Sequence, residues 1–126
     1  MRVLLDTVTF IWAVSSPGSL SRRAMSALRS EAVVREISSV SIAEIAIKQT
    51  KGMLTFGQDD ILAGLADLRV RVLPYTADHA LCLFDLPLQH PDPFDRQIIA
   101  QAICENIPVV TCDEKFRLYK EVEVLW

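Results

Sequence analysis

The feature that most constrains this chain is the alternation of short, wholly apolar runs with segments of helical periodicity. Arg2-Val3-Leu4-Leu5 reads as a buried strand. Thr7 to Val14 then reads as a short helix, broken by Ser15-Ser16-Pro17-Gly18. Ser19 or Ser21 caps a second helix running to Ser30. Glu36 to Val40 is a strand, and Ser41 opens a helix in which Ile42, Ile45 and Ala46 recur at helical spacing. Asp59 to Leu68 is helical, Arg71 to Tyr75 extended, and Thr76 caps another helix. Asp92-Pro93 starts one whose apolar stripe is Phe94, Ile98, Ile99, Ala102 and Ile103. Pro108 to Thr111 and Val122 to Leu125 are the final strands. Strands that are apolar throughout, rather than alternating in polarity, belong to parallel sheets covered on both faces. The pattern therefore predicts an α/β chain: one three-layer α/β/α domain, residues 1–126, around a short-stranded parallel sheet.

Composition removes several classes. Hydrophobic residues are 51% and charged residues 23%, which argues against disorder. No apolar run approaches the ~18 residues of a membrane span. The chain starts directly with a strand-like segment and no signal-peptide pattern, so the expected location is the cytoplasm. Cys82, Cys104 and Cys112 are odd in number and include no C-x-x-C pair. They read as small buried hydrophobes rather than a disulfide framework or zinc site. A net charge of −3 argues against bulk electrostatic binding of nucleic acid. It leaves open a nucleic acid held through metal ions and a local basic face.

The acids are then placed on this map. Asp6 follows the first strand, Glu44 lies about one helical turn after the second, and Asp113 follows the strand ending at Thr111. Parallel strands put these carboxyl ends on one edge, where open α/β sheets keep their ligand crevice. Asp95 lies in a first helical turn beside Ile98, Ile99 and Ala102, and so points towards the core side. Carboxylates crowded in one crevice repel and raise one another's pKa. A hard divalent cation resolves the conflict, and such a site suits phosphodiester hydrolysis.

Each acid also has a purely structural reading. Ser41 to Glu44 has the spacing of a capping box, and Asp92 that of an N-cap before Pro93. Asp113 fits a turn and Asp6 an N-cap. Taken singly these readings stand level with the site. Four acids at one predicted edge favour the site.

These residues carry a family resemblance. Leu4-Leu5-Asp6-Thr7, the block Ser41 to Lys48, His90-Pro91-Asp92-Pro93-Phe94-Asp95-Arg96 with Ala100-Gln101-Ala102, Thr111-Cys112-Asp113 and the closing Leu125-Trp126 resemble PIN-domain proteins of the VapC toxin type. The blocks keep the family's order along nearly the whole chain. The resemblance implies a metal-dependent endoribonuclease using Mg2+, with Mn2+ as substitute. Its acidic quartet falls on Asp6, Glu44, Asp95 and Asp113, with Asp6 and Asp95 as direct ligands. Thr7 and Thr111 fall in supporting positions. It also implies a homodimer and a VapB-type antitoxin. Two positions depart from the pattern: Val8 stands where a His is frequent, and Ala43 where a Trp is.

Other residues read more plainly. Lys48 is placed to pair with Glu44 at i,i+4, and Arg22, Arg23, Lys48, Lys51 and Arg96 are candidates for a basic rim that meets RNA phosphates. Arg96 also follows a candidate ligand and could stabilise Asp95. His90 reads as a polar loop residue, and His79 has no assigned role. Trp12 and Phe10 pack or meet a partner, and Trp126 packs. A receiver domain is disfavoured, because Asp6 lacks an acidic neighbour and the last strand offers Asp113 rather than a lysine. A PIN nuclease in RNA processing, or a silent PIN binding module, are the nearer alternatives.

Overall fold

The computed structural model describes Met1–Trp126. Five parallel strands form one sheet: β1 (Arg2–Leu5), β2 (Val34–Ser38), β3 (Val70–Leu73), β4 (Val109–Val110) and β5 (Val124–Leu125). Their order is β3-β2-β1-β4-β5. Six helices connect them: α1 (Thr7–Ser15), α2 (Arg22–Arg29), α3 (Ser39–Thr50), α4 (Gln58–Asp67), α5 (Ala77–Leu81) and α6 (Pro93–Glu105). Three short 3-10 turns complete the chain.

The apolar strands are buried because both sheet faces are covered. Val3 and Leu5 project into one core with Phe10 and Ala13 of α1, Ala24 of α2 and Ile61 of α4. Leu4, one residue out of phase, joins Ile98, Ile99 and Ala102 of α6 in the other. The period-2 alternation of a strand thus supplies both layers from one three-residue run. Trp12 packs on Trp126, with ring centroids 6.2 Å apart. Asn106 ends α6 at φ 53°, the left-handed cap that Asn tolerates.

Strand and helix ends shift by one to a few residues throughout, and two of these shifts share one cause. The second strand runs Val34–Ser38 rather than Glu36 to Val40, and α3 is capped by Ser38 rather than Ser41. Arg35 and Glu36 argue against a buried strand in isolation, yet both are buried and partnered. Arg35 donates to the carbonyls of Leu68, Ser30 and Val33. Glu36 accepts from Arg2 at 2.6 Å, and Arg71 stands 3.4 Å away. Arg2 continues to Glu105, and Glu105 to the buried His79. His79 and Arg2 together hold the Glu105 carboxyl below its usual range. His79, assigned no role from the sequence, therefore joins α5 to α6 at the far end of this ionic chain.

The cysteines are a second correction. Cys104 and Cys112 are exposed and Cys82 is half-buried, so none is the buried hydrophobe expected; all three are free thiols. No helix is long and apolar enough to cross a membrane.

Candidate active site

The strand order reverses between β1 and β4, which is where an α/β sheet opens a crevice beyond its carboxyl ends. Asp6 leaves β1 there and Asp113 follows β4. Asp6 is the N-cap of α1 and accepts from Thr9 N–H at 2.8 Å. Its other oxygen accepts from the Thr111 hydroxyl at 2.5 Å. Burial pushes the Asp6 carboxyl up, and the Thr111 and Thr9 hydrogen bonds pull against it. Capping and site geometry thus coexist in one side chain.

Glu44 does not close a capping box on Ser41. Because α3 starts at Ser39, Glu44 sits in its second turn and turns inward, buried. It accepts from the Thr7 hydroxyl at 2.7 Å and pairs with Lys48 at 2.5 Å. Ser41 lies 2.8 Å from the same Thr7 hydroxyl. Thr7 and Thr111 therefore each hold one acid of the crevice. Glu44 raises the Lys48 pKa, with Asp92 and Asp95 adding to the effect.

Asp95 is the least compensated of the four. It occupies the first turn of α6, behind the N-cap Asp92. No hydrogen bond reaches its carboxylate, and His90 Nε2 stands 3.1 Å away. Its pKa is pushed from 3.8 up to about 7, first by burial, then by Asp92, Asp6, Glu44 and Asp113. That sequence of causes shows how the fold has gathered its acids: every other member of the quartet acts on Asp95.

Asp113 accepts from Lys115 N–H at 2.9 Å and from His90 Nε2 at 2.8 Å. His90 lies in the loop before α6, as the sequence indicates, but is buried there, 3% exposed. His90, Asp95 and Asp113 each bring one atom to within 4.8 Å of the others. The sequence held a signal for this. Pro91 and Pro93 stiffen the segment between His90 and Asp95, so the imidazole has little freedom to leave the helix start.

The basic residues separate. Lys48 stands in the crevice. Arg96 instead donates to the carbonyls of Pro87 and Leu86 and lies 3.4 Å from the Tyr119 hydroxyl, so it clamps the preceding loop rather than pairing with Asp95. Arg23 borders a hollow with Met1, Val3 and Val33, at the amino end of β1, opposite Asp6. Arg22 borders another with Gly18 and Arg29. Neither hollow contains a member of the quartet. Lys51 is exposed just beyond α3. Val8 and Ala43, the two departures from the family pattern, are both exposed, so they alter the surface and not the hydrogen bonds of the acids.

An α/β sheet of this order with acids at its switch point is the architecture of a PIN domain. The PIN-domain family matches residues 3–122, and the chain belongs to that family. No curated protein matches the chain. Its fold is similar to a chain of VapBC2 from Rickettsia felis bound to a promoter DNA fragment, with TM-score 0.72, 18% identity, and 98% of this chain and 97% of that one covered. A chain of DNA-bound VapBC from Salmonella typhimurium gives 0.69, 18%, 98% and 96%. VapBC-5 of Mycobacterium tuberculosis, a member of the VapBC toxin–antitoxin family, gives 0.65, 21%, 98% and 96%.

Proposed function

We propose that the protein is a divalent-metal-dependent endoribonuclease, the toxin of a VapBC-type toxin–antitoxin pair. The observation that carries this reading is Asp95, a carboxylate raised to about 7 by burial and four neighbouring acids, with no hydrogen bond to neutralise it. Such an arrangement costs stability unless a cation occupies it. The donors are oxygens, the ligand set that magnesium and manganese favour. Asp6, Asp95, Glu44 and Asp113 would hold the ion. The ion would supply a water of lowered pKa and neutralise charge on the phosphoryl group.

The remaining groups have defined tasks in this reading. Thr111 and Thr7 fix the rotamers of Asp6 and Glu44. Lys48 offers a cation to substrate phosphate at the crevice, with Lys51 beside it and Arg22 and Arg23 as outlying contacts. Neighbours that are VapBC complexes support a VapB-type antitoxin as partner, and the resemblance to VapC toxins implies a homodimer as the working assembly.

Cleavage of a panel of structured RNAs by antitoxin-free protein tests the proposal. Magnesium or manganese is expected to support cutting, chelator to abolish it, and Asp6→Asn to lower the rate by at least ~100-fold, the scale of losing an electrostatic element in a catalytic site. Cutting that survives in chelator or in the variant would contradict the proposal. Metal binding with no cutting of any RNA would favour the silent PIN module.

A further inference from the structure

His90 is a buried imidazole that neither the family resemblance nor the quartet accounts for. Its two nitrogens are differently engaged. Nδ1 accepts from the Asp92 backbone N–H at 3.2 Å, so the ring proton resides on Nε2. Nε2–H then donates to Asp113 Oδ2 at 2.8 Å and stands 3.1 Å from Asp95 Oδ2. One donor therefore meets oxygens from two elements, the start of α6 and the segment after β4.

The ring is itself held from several sides. The His90 N–H donates to the Tyr119 hydroxyl at 2.8 Å, and that hydroxyl donates to Pro87 O at 2.8 Å. Gln89 N–H reaches the same hydroxyl, and Arg96 secures the carbonyls on either side of the loop's start. The Phe116 ring lies edge-on to the imidazole, with centroids 5.7 Å apart. Such support is more than a loop histidine needs, and it converges on the position of one N–H.

We propose that His90 is a positioning residue of the acidic cleft: its Nε2–H holds Asp113 Oδ2 by a hydrogen bond and sets its spacing from Asp95 Oδ2, 3.1 Å from the same nitrogen, and it does not ligate the metal. The inference rests on the metal-nuclease reading above and adds to it the residue that sets the spacing of two of its carboxylates. The His90, Asp95 and Asp113 cluster has the outward form of a three-ligand transition-metal site. The Asp92 N–H contradicts that, because it takes the Nδ1 lone pair and leaves a proton where a metal bond would form. Histidines that orient carboxylates in this way act through hydrogen bonds, and losing such outer partners typically weakens metal affinity about 10- to 100-fold.

The test uses the full chain, with Mn2+ alone as probe for affinity and 15N-labelled histidine for the proton. His90→Ala is expected to weaken Mn2+ binding at least ~10-fold and to lower kcat for RNA without raising KM. His90→Gln, which keeps an N–H near the Nε2 position, is expected to recover most of the affinity. In wild type, Nε2 is expected to keep its proton both without metal and in Mg2+. Deprotonation of Nε2 on adding Mg2+ would overturn the proposal in favour of direct ligation. Unchanged Mn2+ affinity in His90→Ala, with only a loss of thermal stability, would overturn it in favour of a packing role. Wild-type protein that binds no Mn2+ would remove the metal-nuclease reading itself, and this inference with it. Normal wild-type binding beside an unaffected His90→Ala removes this inference alone.

Discussion

Metal-free protein is expected to lose stability as pH rises from about 4 to about 7, and magnesium to restore it at the upper end. The sign follows from Asp95, whose carboxyl is raised from 3.8 to about 7. Between those values the folded chain keeps a proton that the unfolded chain has released. The unfolded state then binds fewer protons, so stability falls with pH through this window and the loss is complete above it. Asp6 is shifted in the same direction by burial. The Asp95 side chain is only 23% exposed, so the loss is on the order of 4 kcal/mol, at about 1.4 kcal/mol per pKa unit. An ion that binds only the folded acids returns about 2.7 kcal/mol at a hundredfold excess over its Kd. Asp95→Asn removes the charge that the fold resists. It should flatten the pH slope and reduce the magnesium response, while the protein at high pH becomes more stable than wild type. Urea denaturation at both pH values, with and without magnesium, measures all three. A pH slope unchanged in Asp95→Asn would show that the burden lies elsewhere.

The second large effect is in the core that carries α1. Phe10 is fully buried and meets Phe56 edge-on, with centroids 6.1 Å apart. Helix α4 comes so close that a Cβ on Gly64 would fall 2.9 Å from Phe10 Cζ and 2.5 Å from Val14 Cγ2. Glycine at that point is a packing requirement, and Phe10 fills the space it leaves. Phe10→Ala is expected to cost about 3–5 kcal/mol in urea denaturation, the range for emptying a buried aromatic site. Val8→Ala on the same helix is the control, since Val8 is 42% exposed and should shift stability by no more than about 0.5 kcal/mol. Because α1 begins at Asp6 and Thr7, Phe10→Ala should also weaken metal binding. A cost near that of Val8→Ala would contradict the packing of α1 on α4.

Much of this arrangement was legible in the sequence because it follows from short-range rules. Asp6 and Asp113 could be placed because each follows an apolar run, and parallel strands put such ends together. Asp95 could be placed because Asp92-Pro93 marks a helix start and Ile98, Ile99 and Ala102 mark its buried side. What escaped depends on partners distant in the chain. Buried Arg35 hid the start of β2, since the carbonyls that hold it lie at Leu68, Ser30 and Val33. The role of Glu44 as an inward-facing acid rather than a cap depends on where α3 starts, and the serines at 38, 39 and 41 offer three local answers. Nothing local marks His90 as buried, because its hydrogen-bond partner Asp113 is 23 residues away. Arg96 is held away from Asp95 by the Leu86 and Pro87 carbonyls, which lie ten and nine residues back in the chain and leave no local mark.

The central claim is that the quartet at the β1–β4 switch point holds a divalent cation. Crystals of the wild-type protein soaked in manganese, measured at the manganese edge, test it most directly. Anomalous density is expected among the carboxylates of Asp6, Glu44, Asp95 and Asp113, and is lost when Asp95 is replaced by Asn. Density centred on His90 Nε2, or a cleft without manganese while the ion binds elsewhere, would contradict it.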